Sequence, residues 1–137
     1  MTPEAAAALH ARAVAPGRGW SGAEIAALLR SPAVFLVGDV RAFGLARTAA
    51  DEAEILMLAT DPDWRRRGLA RDCLAGLEAE ARRRGAARSF LEVAEDNAPA
   101  RALYRASGYV ELARRAAYFP CAAGRAVDAL VMSRSLR

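Results

Sequence analysis

The 137-residue chain contains no lysine, no glutamine, a single histidine and two cysteines. All 20 of its basic residues are therefore arginine. One histidine, His10, and the widely separated Cys73 and Cys121 cannot supply a zinc set at the usual ligand spacings, so no metal is expected. A disulfide between two lone cysteines is not expected in a reducing compartment. Cys73 falls on the apolar side of a helical repeat and reads as a small core residue. Long apolar runs are also missing. Stretches such as Ala33 to Val37 and Ile55 to Ala59 are far below the roughly 20 residues that span a membrane. The start is acidic at Glu4 and alanine-rich, with no basic stretch ahead of an apolar one, so no signal peptide is read. The expectation is a soluble cytoplasmic protein with no membrane partner.

Hydrophobic residues make up 54% of the chain, but 35 of them are alanine. The larger apolar residues that remain suffice for one core, and the length fits a single domain over 1–137. Abundant arginine and alanine together look like a coding bias, which weakens the net charge of +4 as a sign of a nucleic-acid partner. Placement says more. Residues 1–62 carry 5 arginines against 7 acids, and residues 63–137 carry 15 against 9. An anionic partner should meet the second half.

Thr2-Pro3 opens a helix over 3–14, which Pro16 and Gly17 break. Ser21 caps a second helix over 22–30, with Glu24 completing a capping box. Apolar segments at 33–38, 41–48 and 53–60 have the spacing of an antiparallel meander. A helix from Gly68 to Arg84 repeats Leu69, Cys73, Leu77 and Ala81 at a spacing of four. A strand at 88–94, a helix from Asn97 to Ser107, a strand at 109–119, a turn over Pro120 to Gly124 and a strand at 126–134 complete the order. This α/β (α+β) pattern implies a mixed sheet with helices on its faces.

The stretch Asp61 to Ala70, DPDWRRRGLA, joins a strand to a helix. Arg65, Arg66 and Arg67 stand at the helix N-terminus, which already bears about half a positive charge and four unpaired N–H groups. Cations there are misplaced unless an anion neutralises them. Arg82 to Arg84, at the same helix's C-terminus, are favourably placed and read as structural. Gly68 and Ala70 let a backbone approach a ligand, in the strand-loop-helix setting of phosphate cradles. No P-loop or Rossmann glycine pattern is present.

Arg65-Arg66-Arg67-Gly68-Leu69-Ala70, following Leu58-Ala59-Thr60-Asp61-Pro62, resembles the acetyl-coenzyme A motif of the GCN5-related N-acetyltransferases (GNAT). Leu91-Glu92-Val93, Asn97, Ala102-Leu103-Tyr104 and Gly108-Tyr109, in that order and spacing, resemble the RimI-like branch, the ribosomal-protein-alanine N-acetyltransferases. Trp20-Ser21, Gly124-Arg125 and Asp128-Ala129 are weaker marks of it. The resemblance implies a GNAT fold with a mixed, mostly antiparallel sheet. The family opens with a strand ahead of its first helix and this chain does not, so the sheet should lack that strand or gain it from a partner. Ala70 stands where many members have glycine.

The resemblance further implies direct transfer from acetyl-CoA to the N-terminal amine of a protein, the acceptor being alanine of a small-subunit ribosomal protein. Leu58, Ala59 and Thr60 would hold the pantetheine arm and thioester. Arg65, Arg66, Arg67, Gly68, Leu69, Ala70 and Arg71 would hold the pyrophosphate, and Asn97 would contact the coenzyme. Asn97 also reads as a helix cap, and the roles can coexist. Glu92 matches the base, its basicity raised by burial beside Leu91 and Val93, unless strand alternation turns it to solvent. Tyr104 matches the acid that returns a proton to the coenzyme thiolate; without the family it would read as a core tyrosine. Tyr118 and Phe119 are candidates for the acceptor pocket or for the core. Asp51, Glu52 and Glu54 form a hairpin patch that could attract a basic peptide or simply be solvated. Competing readings are acetylation of small amines or lysine, and a non-catalytic basic RNA- or CoA-binding module. The absence of an RNP-like aromatic-and-basic motif argues against direct nucleic-acid binding.

Overall fold

Helices begin where the sequence supplies a cap. Thr2 Oγ1 accepts from the Ala5 N–H at 3.1 Å to open α1 (Pro3–Val14), with Pro3 in the first turn. Ser21 and Glu24 form a reciprocal capping box on α2 (Gly22–Leu29). Asn97 Oδ1 accepts from the Ala100 N–H at 3.2 Å to start α4 (Ala98–Ala106). The helix α3 (Leu69–Arg83) differs, because Gly68 at its start offers no side-chain cap. This computed structural model describes residues 1–15, 18–120 and 126–137, the side chains of residues 118–120 excepted. Cys121, the Pro120–Gly124 turn, Gly124-Arg125 and the Tyr118 and Phe119 side chains lie outside the described residues.

Six strands form one sheet: β1 (Val34–Asp39), β2 (Ala42–Ala49), β3 (Glu52–Thr60), β4 (Arg88–Ala94), β5 (Val110–Pro120) and β6 (Ala126–Ser135). Their spatial order is β1-β2-β3-β4-β6-β5. Only β3 and β4 run parallel; the other neighbours are antiparallel. The element order and the mixed, mostly antiparallel sheet agree with the sequence reading. No described strand precedes α1, and β1 forms one edge.

Strand alternation builds two cores. On one face Leu74 and Leu77 of α3 and Tyr104 of α4 pack with Leu91, Val93, Leu130 and Met132. On the other, Leu9 of α1 and Ile25 of α2 pack with Phe43, Leu45 and Met57. Gly44 lets α3 approach β2 closely, since a Cβ there would stand 2.5 Å from Leu77 Cδ1. The first core holds one buried polar group of note. Glu78, at 4% side-chain exposure, receives Arg134 at 2.7 Å, and the Tyr109 hydroxyl lies 2.9 Å from Glu78 and 2.7 Å from Ser89. That satisfied network ties α3 to β4 and β6. At the C-terminus of α3, Arg82 donates to the Leu136 carbonyl, and Arg84 donates to the Pro32 carbonyl and lies over the Phe35 ring. Among the described residues no helix is long and apolar enough to cross a membrane.

His10 is buried in α1, and its Nδ1 accepts the Trp20 N–H at 2.9 Å, fastening the chain between α1 and α2. Burial lowers its pKa from 6.5. The folded state therefore binds fewer protons than the unfolded state, so stability is full above pH 6.5 and falls as pH drops below it. We expect urea midpoints to decline between pH 7 and pH 5 in the parent. His10→Asn keeps an acceptor without the titration and should flatten that decline; equal slopes in both proteins would contradict the assignment.

Candidate active site

The site starts from one irregularity in β3. Ala46 and Leu45 are consecutive, yet they pair with Ile55 and Met57, leaving Leu56 as an extra residue. Such a bulge turns the following side chains to the opposite faces. Ala53 and Ile55 point to the α3 core, whereas Met57 and Ala59 point to the α1–α2 core and Leu58 points back towards α3. The parallel ladder with β4 ends at the same place, its last pair being Ile55–Leu91. Beyond it β3 follows β2 and β4 follows β6. The Asp61 N–H donates to the Arg41 carbonyl, just ahead of β2, at 2.8 Å. Backbone alternation then turns the N–H and C=O groups of Leu58 and Thr60 away from β2, into the gap towards β4.

The arginine loop closes the end of that gap. Arg66 (φ 64) and Gly68 (φ 76) both adopt positive φ. Left-handed residues interleaved with ordinary ones gather successive N–H groups into a concave anion nest, here continued by the uncapped N-terminus of α3. The three arginines have separate fates. Arg65 donates to the Ala13 carbonyl at 3.1 Å, near the C-terminal end of α1. The Arg67 guanidinium lies over the Trp64 ring at 5.0 Å, with Arg41 also against that ring at 5.5 Å. Two of the three cations are thus engaged within the protein. The backbone amides, Arg66 and Arg71 remain as the cradle's main attraction for an anion.

A cleft of about 760 Å³ runs from the strand gap to this loop. Of the eleven coenzyme positions expected from the sequence, ten line it; Arg67, turned to Trp64, does not. Asn97 lines the cleft and caps α4 at once. Trp64 and the α1 residues Ala13 and Val14 also line it and escaped the sequence reading. The aromatic beside the arginine run was a usable signal for Trp64, but nothing local ties α1 to the loop. That link is tertiary: Arg65 to Ala13, and the Arg12–Asp61 ion pair. Tyr104 does not line the cleft. It is buried one position beyond Leu103, which does, and its ring packs edge-on against Tyr109 at 6.0 Å. Burial pushes its hydroxyl up to about 12.

Glu92 lies elsewhere than its sequence neighbours suggest. Leu91 and Val93 face the α3–α4 core, and alternation turns Glu92 to the other face of the sheet. The burial expected beside them is therefore only partial. Its side chain is 27% exposed and pairs with Arg115 at 3.3 Å. It lines a second recess of about 330 Å³ with Glu52, Glu54 and Arg47. The cleft lies where β3 and β4 have parted, whereas the second recess lies along their paired part and reaches the start of the gap at Glu92, holding three carboxylates with Arg47 and Arg115.

Residues 18–109 match the family model described as Acetyltransferase (GNAT) family. The chain belongs to this family. It is 41% identical over 96 residues to the ribosomal protein bS18-alanine N-acetyltransferase of Escherichia coli K12, over 70% of this chain and 64% of that protein. The chain thus spans less than two thirds of this curated relative. The counterpart in Haemophilus ducreyi is 32% identical over 95 residues, covering 69% of this chain and 66% of its own. The crystal structure of the E. coli ribosomal-protein-S18-alanine N-acetyltransferase superposes with a TM-score of 0.87, at 34% identity, over 98% of this chain and 87% of that one. These likenesses agree with the GNAT fold and its RimI-like branch.

The nest gives a direct test. A Cβ on Gly68 would meet only the Arg71 guanidinium, at 3.0 Å, but φ of +76° is strained for any β-branched residue. A CoA-type diphosphate ligand should stabilise the parent by about 2.7 kcal/mol at a hundredfold excess over its dissociation constant. In Gly68→Val most of the thermal shift should disappear while the far-UV spectrum stays. An undiminished shift would place the diphosphate elsewhere.

Proposed function

We propose that the chain transfers the acetyl group of acetyl-CoA directly to the N-terminal α-amine of a protein, in the cytoplasm. The acceptor favoured by the likeness to the E. coli enzyme is an N-terminal alanine of a small-subunit ribosomal protein. One observation carries the reading: β3 and β4 part at the Leu56 bulge beside an amide-rich loop, with a carboxylate recess on the other side. In this reading the loop amides of residues 65–71 hold the diphosphate and Asn97 contacts the coenzyme. The N–H groups of Leu58 and Thr60 grip the pantetheine and polarise the thioester. Such preorganised donors are commonly worth a few kcal/mol in the transition state.

The amine must be neutral to attack. An α-amine has a pKa near 7.7–8.0 and a lysine side chain near 10.4, a gap of roughly 2.5 units or about 3.4 kcal/mol. Glu92, facing the acceptor side, takes the proton directly or through one water. Tyr104 plays a donor's part. In this reading Tyr104 returns a proton to the departing coenzyme thiolate; burial, which raises its hydroxyl to about 12, keeps it protonated and able to donate. The carboxylates Glu52 and Glu54 in the same recess as Glu92 suit a cationic peptide end.

Tyr104→Phe and Glu92→Gln should each slow transfer by about 10²–10⁴-fold with acetyl-CoA affinity nearly constant, measured by thiol release and by binding calorimetry. Parent-like turnover in both variants would remove these roles. Peptides with free N-terminal alanine should be acetylated well, and N-terminally blocked peptides containing lysine poorly. Mass spectrometry with fragmentation places the added acetyl group. Acetyl found mainly on lysine, or only on small free amines, would assign the chain to another branch of the family.

A further inference from the structure

We infer that Arg115 is a positioning residue for the Glu92 carboxylate; this rests on the reading of Glu92 as the group that takes the amine proton. The two residues sit on strands that do not touch, with β6 between them. Glu92 pairs in register with Val131, and Arg115 with Ala129, so both side chains stand on one face of the sheet. From there Arg115 Nη2 reaches Glu92 Oε1 at 3.3 Å.

Two irregularities in β5 bring this about. Glu111 pairs with Met132 and Ala113 with Val131, leaving Leu112 as an extra residue. In an unbroken ladder Arg114 would face Ala129, and Arg115 would point to the opposite face. The bulge exchanges them. Past Arg115 the strand shifts register again, and Ala117 adopts φ 52, a conformation uncommon for a residue with a side chain. Asp128 holds that kink: its carboxylate accepts from the Ala117 N–H at 2.9 Å and from Arg114 at 2.9 Å. Those same contacts hold the Asp128 carboxyl below its ordinary range. Arg114 also pairs with Glu95 at 2.8 Å. The strained segment is thus fixed from one face while Arg115 is presented on the other.

The Arg115–Glu92 pair is not a stability device. Its side chains are 55% and 27% exposed, and such pairs contribute little to folding. It stands instead in the recess with Glu52, Glu54 and Arg47, where Arg47 is occupied by Glu54 at 2.6 Å. Among the described residues the ion pair recorded for Glu92 is the one to Arg115. With Oε1 engaged by the guanidinium, Oε2 is left to take the proton. The nitrogen–carbon bond forms, the carbon–sulfur bond breaks, and the proton passes from the amine to Oε2 and then to water.

Steady-state kinetics with acetyl-CoA and a peptide bearing N-terminal alanine test this, using Arg115→Gln, Arg115→Lys, Glu92→Gln and the Glu92→Gln/Arg115→Gln double variant. Arg115→Gln should lower kcat about tenfold while KM for acetyl-CoA stays within about twofold, and Arg115→Lys should recover most of the loss. In the Glu92→Gln background Arg115→Gln should cost nothing further, because its proposed effect on kcat runs through that carboxylate. A kcat loss of the same factor in both backgrounds, or no loss in the parent background, overturns the inference. Glu92→Gln turning over at the parent rate would overturn the base role as well. A slow Glu92→Gln with additive Arg115→Gln overturns the positioning role alone.

Discussion

The parting of β3 and β4 is the constraint on which the site depends. A parallel pair that stayed zipped would saturate the backbone groups of Leu58 and Thr60 and leave no gap between the faces of the sheet. The Leu56 bulge prevents this by changing the course of β3 just where the ladder with β4 ends. The gap cannot close by β4 moving over, because β4 is held along its length by β6. Nor can β3 swing across, because β2 pairs with it up to Thr60. The unpaired edge is therefore bounded on one side by the β2–β3 hairpin and on the other by the antiparallel β4–β6 pair.

Around that gap, arginine works mainly as a strut. Arg65 ties the loop to α1, Arg82 and Arg84 tie the end of α3 to Leu136 and Pro32, and Arg101 donates to the Glu95 carbonyl beside α4. The planar guanidinium suits this, since it can stack on an aromatic face or donate to a carbonyl while keeping one edge in water. Each exposed contact is worth little energy. Their value is geometric, because each ties together segments distant or separate in the chain. Glu78 is the exception: its burial with Arg134, Tyr109 and Ser89 makes it costly to disturb.

The two faces of the sheet divide the work. On one, α3 and α4 bring the amide nest and Asn97 to the cleft, with Tyr104 buried in the core behind Leu103. On the other, α1 packs on β3 and α2 on β1, leaving Glu92 and its neighbours in a recess of that face that no described helix residue lines. The cleft and the recess thus open on opposite faces of the sheet.

Local signals alone determined the element order, because caps, prolines and apolar spacing act within a few residues: Thr2-Pro3, Ser21 with Glu24, and Asn97 each open a helix as read. The loop-and-helix anion cradle was legible for the same reason, since Gly68 and the helix N-terminus are neighbours in the chain. The side-chain fates within it were not. Whether Arg65 and Arg67 face a ligand depends on Ala13 and on the packing around Trp64. Family resemblance supplied Glu92 and Tyr104, but not their surroundings. Alternation turned Glu92 away from Leu91 and Val93, and only the strand order β4-β6-β5, with the Leu112 bulge, brought Arg115 to it. A one-residue slip reverses every side chain beyond it, and such slips are written in the pairing between strands rather than in any single stretch of sequence.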